Sequence, residues 1–354
     1  QYALDNIPTL GTILVKDGDY NESITFPSAN MIILQSINGD SSTTIIGDNG
    51  SPTVTCSNSL EGTTLEGFTI SHTSGDSGSG TDISGGYLNI NNCTISNNSA
   101  YDCGGIYNGS DATLNITSST ISSNYSDNGG GISNWGTLTI TASTISHNSA
   151  AKEGGGIYNN DGTLTITSST ISSNNANDYG GGIYNNKYST LYITDSTISG
   201  NSATHGGGIY NNKYSTLYIT DSTISGNSAT RYGGGIENSG TLTITSSNIS
   251  SNYSDDGSGI NNDDYSTLTI ISSTISHNSA AKNGGGIYNN YSTLTIISST
   301  ISHNSATDYF GGICNSGKLT ITASTISHNS AGINYCGIYL SFGSGTITIG
   351  GSGE

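Results

Sequence analysis

The sequence has 354 residues, 25 acidic against seven basic side chains, a formal charge of −18 and only 32% hydrophobic residues. A field of that sign repels phosphate backbones and anionic lipid, which argues against nucleic acid as a partner, and no run of about eighteen apolar residues is present to insert into a bilayer. So polar a composition would ordinarily mean disorder, but an internal repeat overrides that reading.

Residues 1–90 hold GTILVKDGDY, NMIILQSI, TTIIG and PTVTC, strand-like segments at uneven spacing, which read as irregular N-terminal coils and a cap. From 91 to 354 one unit recurs. A glycine-led strand carries Ile106, Ile132, Ile157, Ile183, Ile209, Ile236, Ile260, Ile287, Ile313 and Ile338, in steps of 24 to 27 residues. Each step contains three short apolar segments, such as GGGIYN, TLTIT and STISSN, separated by Gly, Asn, Asp and Ser. In TLTIT the alternation sends Leu and Ile to one face and Thr to the other, and a single coil cannot bury that face alone. Stacked coils can. The pattern therefore predicts an all-β, single-stranded parallel β-helix (β-solenoid) of about 26 residues and three strands per coil, one continuous domain, right-handed by the usual chirality of crossovers.

Two asparagine series run through the repeat. Asn98, Asn124, Asn148, Asn174, Asn201, Asn227, Asn252, Asn278, Asn304 and Asn329 follow the STIS strand. Asn108, Asn134, Asn159, Asn185, Asn211, Asn238, Asn262, Asn289 and Asn315 follow the glycine-led isoleucine. An amide can bond the same amide one coil away, so both series are expected to be structural ladders. The sequence finishes in GTITIGGSGE with no helix or polar coil, an ending expected to leave a bare rung open to docking.

The GGGI or GGIC segments and the ISSN, ISHN or ISGN segments together resemble the repeats of polymorphic outer membrane proteins and of adhesin-like surface proteins, with isoleucine in place of the family's phenylalanine and glycine in place of its alanine. The resemblance implies a right-handed β-helix on a prokaryotic cell surface or outside the cell. The start at Gln1 fits cleavage of a secretory signal.

Candidate chemistry is sparse. The fold also hosts pectate lyases and polygalacturonases, but their expected segments are missing, and Arg231, the sole arginine, sits in an ordinary turn. Asp255, Asp256, Asp263 and Asp264 are adjacent acidic pairs that could hold Ca²⁺ or act as acid and base. His277, His303 and His328 recur on successive coils and could bind a transition metal, with His147 and His72 at equivalent places. Tyr107, Tyr158, Tyr184, Tyr210, Tyr288 and Tyr339 follow the inward isoleucine and are expected to face outward, against sugars or a neighbouring subunit. Of five cysteines, Cys93 with Cys103 and Cys314 with Cys336 are near enough in sequence to pair. These observations lead to the expectation of a non-catalytic extracellular structural protein with no cofactor beyond Ca²⁺, not an enzyme, a fibre subunit stacking end to end. The alternatives are a monomeric adhesin binding glycans or a host surface, a polysaccharide lyase or hydrolase, and an ice-binding solenoid.

Overall fold

The structure is a computed structural model that describes residues 1–48, 50–72, 78–263, 265–334, 336–340 and 347–350. Two compact units divide it, residues 1–174 and 175–354. Asp264, the segment 341–346 and the tail 351–354 lie outside the described residues, so the acidic pair at 263–264 and the ending expected to be bare are described only in part.

The first unit opens with one helical turn, Tyr2–Asp5, whose Leu4 is buried. Strands then pair in parallel with their equivalents one coil on: Leu10–Val15 with Met31–Ser36, and Ile24–Phe26 with Val54–Cys56. In Thr81–Asn91 and Ile106–Thr117 the glycine-led and TLTIT segments run on as single long strands. They separate afterwards, as in Ile132–Asn134 and Thr137–Thr141, where Trp135 and Gly136 break the strand between them. The second unit repeats the same elements from Ile183–Asn185 onward, its glycine-led strands paired parallel and in register, isoleucine opposite isoleucine. Beside the three expected strands a further short segment follows the STIS asparagine, as in Ser149–Glu153 and Ser228–Tyr232. It buries Ala150 and Ala229 and forms its own parallel ladder.

Alternation decides the core. Leu138, Ile140, Leu164 and Ile166 in the first unit, and Leu217, Ile219, Leu242 and Ile244 in the second, have no exposed surface. Burying one such side chain is worth roughly 1.5–3 kcal/mol, and every coil contributes several.

The corners are made by single residues in the left-handed region. After STIS they are Asn97, Ser123, His147 and Ser173 in the first unit, and Gly200, Gly226, Ser251, His277, His303 and His328 in the second, all at φ between 54 and 64°. The histidines expected to bind metal thus occupy a turn position. The glycine triplets answer a different need. A Cβ on Gly131 would stand 2.5 Å from the carbonyl oxygen of Gly156 on the next coil, so only glycine permits the strands to approach there.

Both asparagine ladders are formed. In the first, Asn124 Nδ2 donates to Asn148 Oδ1 at 3.0 Å and back to the Ile95 carbonyl at 3.0 Å, while its own Oδ1 accepts from the backbone N–H and Nδ2 of Asn98, each at 3.0 Å. The second runs at 2.6–2.8 Å, as from Asn211 to Asn238 and Asn289 to Asn315. A third ladder was not read from the sequence. Ser119, Ser143 and Ser169 each accept a backbone N–H from the coil before, and Cys93 precedes them in the same row, its own N–H donating to Ser119 Oγ at 3.1 Å. At the head of each asparagine row in the first unit one acceptor stays empty: the Oδ1 atoms of Asn98 and Asn108 are buried with no donor.

This asymmetry yields a measurable difference. Removing a buried hydrogen-bonding group and stranding its partners costs about 1–3 kcal/mol per stranded group. Asn124→Ala strands donors and an acceptor and should lower urea stability by about 2–4 kcal/mol, whereas Asn98→Ala, whose oxygen accepts nothing, should lose less. Equal losses would mean that the ladder bonds do not set stability.

Candidate functional site

The first unit holds a cleft of about 650 Å³. Its floor is the outward row of the glycine-led strands. Register places Asp82 beside Tyr107, Tyr107 beside Ser133, and Ser133 beside Tyr158, one per coil at roughly 4.8 Å intervals. Trp135, just past its strand, stands on one side, and the turn of Tyr101 and Asp102 on the other. Both aromatic rings are open to solvent, Tyr101 73% and Trp135 39% exposed, while Ser133 is buried and spends its hydroxyl on the carbonyls of Asp102 (3.3 Å) and Asn128 (3.2 Å).

Two acceptors in this cleft are buried without a donor, Asp82 Oδ1 and Asn128 Oδ1. Burial raises the Asp82 carboxyl above the ordinary carboxylate range, since nothing opposite in charge compensates it. Asp102 is exposed at the rim. Tyr107 lies within the field of both: its hydroxyl is pushed up by burial first, then by Asp82, Cys103 and Asp102. The cleft thus holds two carboxylates in different environments, one half-buried and protonated more readily, one solvated. That contrast separates an acid from a base in general acid–base chemistry.

In the second unit the same outward row carries Tyr184, Tyr210, Glu237, Asn261, Tyr288 and Cys314. Glu237 is 6% exposed and its Oε2 lies 3.1 Å from Nδ1 of His205. The rings of Tyr179, Tyr184 and Tyr210 pack around one another at 4.9–6.0 Å. A smaller groove of about 310 Å³ is lined by Arg231, Tyr232, Asp255, Asp256 and Lys282.

The acidic candidates do not converge on a cation. Asp255 pairs with Lys282 at 2.7 Å, Asp256 accepts from the backbone N–H and Nδ2 of Asn283, and Asp263 accepts from Asn290 at 2.9 Å. Burial raises Asp256 in spite of those bonds. Among the described residues no three ligating side chains gather. His277, His303 and His328 form an exposed stack, centroids 5.1 and 4.9 Å apart and planes within 4° of parallel, so their rings face each other rather than one point. His72 stands apart, buried against the Ser51 carbonyl.

The predicted outward tyrosine stripe needs correcting. Tyr184 is buried, and Tyr107, Tyr158, Tyr210, Tyr288 and Tyr339 are half-buried, because the short fourth segment of each coil folds beside them. Exposed tyrosines lie elsewhere, among them those of the second unit's turns and TLYIT strands: Tyr188 stacks on Tyr214 and Tyr192 on Tyr218, planes within 7°. The two candidate disulfides are not formed. All five cysteines are free, four of them buried.

Residues 130–281 match the family described as right handed beta helix region. Both units are right-handed parallel β-helix. A comparison with curated proteins finds no match. Among solved structures, the catalytic domain of GH87 alpha-1,3-glucanase in complex with tetrasaccharides is similar at 14% identity and a TM-score of 0.33, over 96% of this chain and 63% of that domain. The family match gives the right-handed β-helix alone and does not confirm the resemblance to surface adhesins.

The expectations of a non-catalytic fibre subunit and of a protein that is not an enzyme are corrected accordingly. The solved structure found is a catalytic domain, although a likeness this distant brings no activity or substrate to this chain. Asp82 was missed because it precedes the regular repeat. Aligning TDI at 81–83 with IYN at 106–108 would have put a carboxylate at the outward position.

Two measurements follow. Because the folded-state carboxyl of Asp82 is raised above its unfolded value, its contribution to stability is complete at acid pH and lost as pH rises through the folded value. Asp82→Asn should therefore melt at or above wild type at about pH 7 and lose that advantage near pH 3, and lower melting at pH 7 alone would contradict the burial effect. Burial also pushes the thiols of Cys93, Cys103 and Cys314 up to about 12, and that of Cys56 upward, so a thiol reagent should label only Cys336 in the native protein and all five after unfolding.

Proposed function

We propose that this protein is a carbohydrate-active enzyme that binds a glycan chain in the Asp82 cleft and hydrolyses a glycosidic bond there. The carrying observation is the half-buried Asp82 carboxyl, raised by burial and with one oxygen unpartnered, in an aromatic cleft that also holds Asp102. Aromatic rings beside a polar floor suit sugars, whose C–H faces stack on rings while their hydroxyls bond acceptors.

The chemistry assigned to the pair is acid–base. Protonated Asp82 donates to the glycosidic oxygen as the bond from the anomeric carbon breaks. A water oxygen adds to that carbon, and its proton passes to the carboxylate of Asp102, exposed at the rim. The two carboxyls return to their starting states by exchange with solvent. Tyr101 and Trp135 hold the sugar rings.

The test is release of reducing ends from a panel of polysaccharides by the full chain. Wild type should cleave at least one class, Asp82→Asn should lose about 10²–10⁴-fold in rate with binding retained, and Trp135→Ala should weaken binding. Cleavage unchanged in Asp82→Asn contradicts the assignment. Binding with no cleavage by wild type reduces the protein to a glycan-binding one.

A further inference from the structure

Resting on the glycan cleft proposed above, we infer that its preferred substrate carries a free amine, a cationic amino-sugar chain rather than a neutral or uronic one. The lining holds Asp82 and Asp102 and no Lys, Arg or His. Of the seven basic side chains only Lys16 and Lys152 fall within residues 1–174. Lys152 is engaged by Asp127 at 2.9 Å, and Lys16 lies beside Asp17 at a separate hollow with Ile37 and Asn38. With Asp82 the protonated acid of the proposed chemistry, the field over the cleft comes from Asp102, and no basic side chain in the lining compensates it. A uronate chain would bring like charge into it, and a neutral chain would leave the field unused.

The hydrogen-bonding inventory points the same way. Asp82 Oδ1 and Asn128 Oδ1 are buried acceptors without donors, and the Ser133 hydroxyl is already spent on two carbonyls. Both buried side-chain atoms left without a partner in the lining are acceptors. An ammonium brings three donors and no acceptor, so it fills the deficit without creating a new one. The rim adds two exposed rings, Tyr101 and Trp135, against whose faces a cation is attracted. Asp102, exposed between Tyr101 and the floor, is the residue positioned to pair with the amine as the chain enters, which leaves the deeper Asp82 protonated for its acid role.

The experiment measures binding of the full-length chain to an array holding four charge classes of oligosaccharide over several linkages: free-amine, N-acetylated, neutral and uronate. Free-amine oligomers should bind at least about five-fold tighter than N-acetylated ones of the same linkage at low salt, and the preference should shrink as salt shortens the Debye length. Asp102→Asn, a substitution at an exposed residue whose fold is checked by its melting curve, should abolish the preference while retaining binding of neutral oligomers. Equal binding of amine and N-acetylated oligomers, or a preference that survives high salt and Asp102→Asn, overturns this inference and leaves the glycan cleft standing. Failure of every class to bind overturns both.

Discussion

The buried asparagine amide is the interaction on which the rest depends. Asn124 holds the coil before it and the coil after it by four bonds, two accepted through Oδ1 and two donated by Nδ2, and such bonds recur along the row, so a one-residue slip would strand buried polar groups on several coils together. Register fixed in that way decides which side chains fall in the same outward row. The cleft is a product of register: Asp82, Tyr107, Ser133 and Tyr158 are far apart in sequence and become neighbours only because each coil is locked to the next.

The same constraint governs the corners. A coil of about 26 residues must turn several times, and it does so with single left-handed residues rather than long loops. Asparagine and glycine adopt that conformation readily, while serine, histidine and tyrosine do so at some steric cost, offset by ladder bonds on either side. The exposed histidine stack follows from this geometry. Its members are turn residues whose side chains align because their backbones do, which accounts for near-parallel rings without any bound ion.

The repeat was legible because its determinants are local and periodic. Inward isoleucine, the TLTIT alternation and both asparagine series can be counted along the chain, and each is where counting placed it. The serine row was overlooked because serine also fills turns, so its ladder role has no compositional mark. The tyrosine stripe was placed on the right strand and the right side, yet taken as exposed, since the fourth short segment that shields it is only two to five residues long. Asp82 was illegible for a different reason. It sits at the boundary between irregular and regular coils, where the spacing cannot be extrapolated, and its meaning arises from burial and from the missing donor at Oδ1. The acidic pairs that stand out in the sequence at 255–256 and 263 proved to be tied to Lys282, Asn283 and Asn290.

The most direct test of the functional account is the protonation of Asp82 itself. Carboxyl ¹³C NMR titration of the full-length protein, with Asp82 assigned by comparison with an Asp82→Asn sample, reports its pKa without any substrate. The account requires a midpoint above the ordinary carboxylate range for Asp82. A midpoint at or below that range would mean that the cleft solvates or neutralises the carboxylate, and would remove the acid on which the proposed chemistry rests.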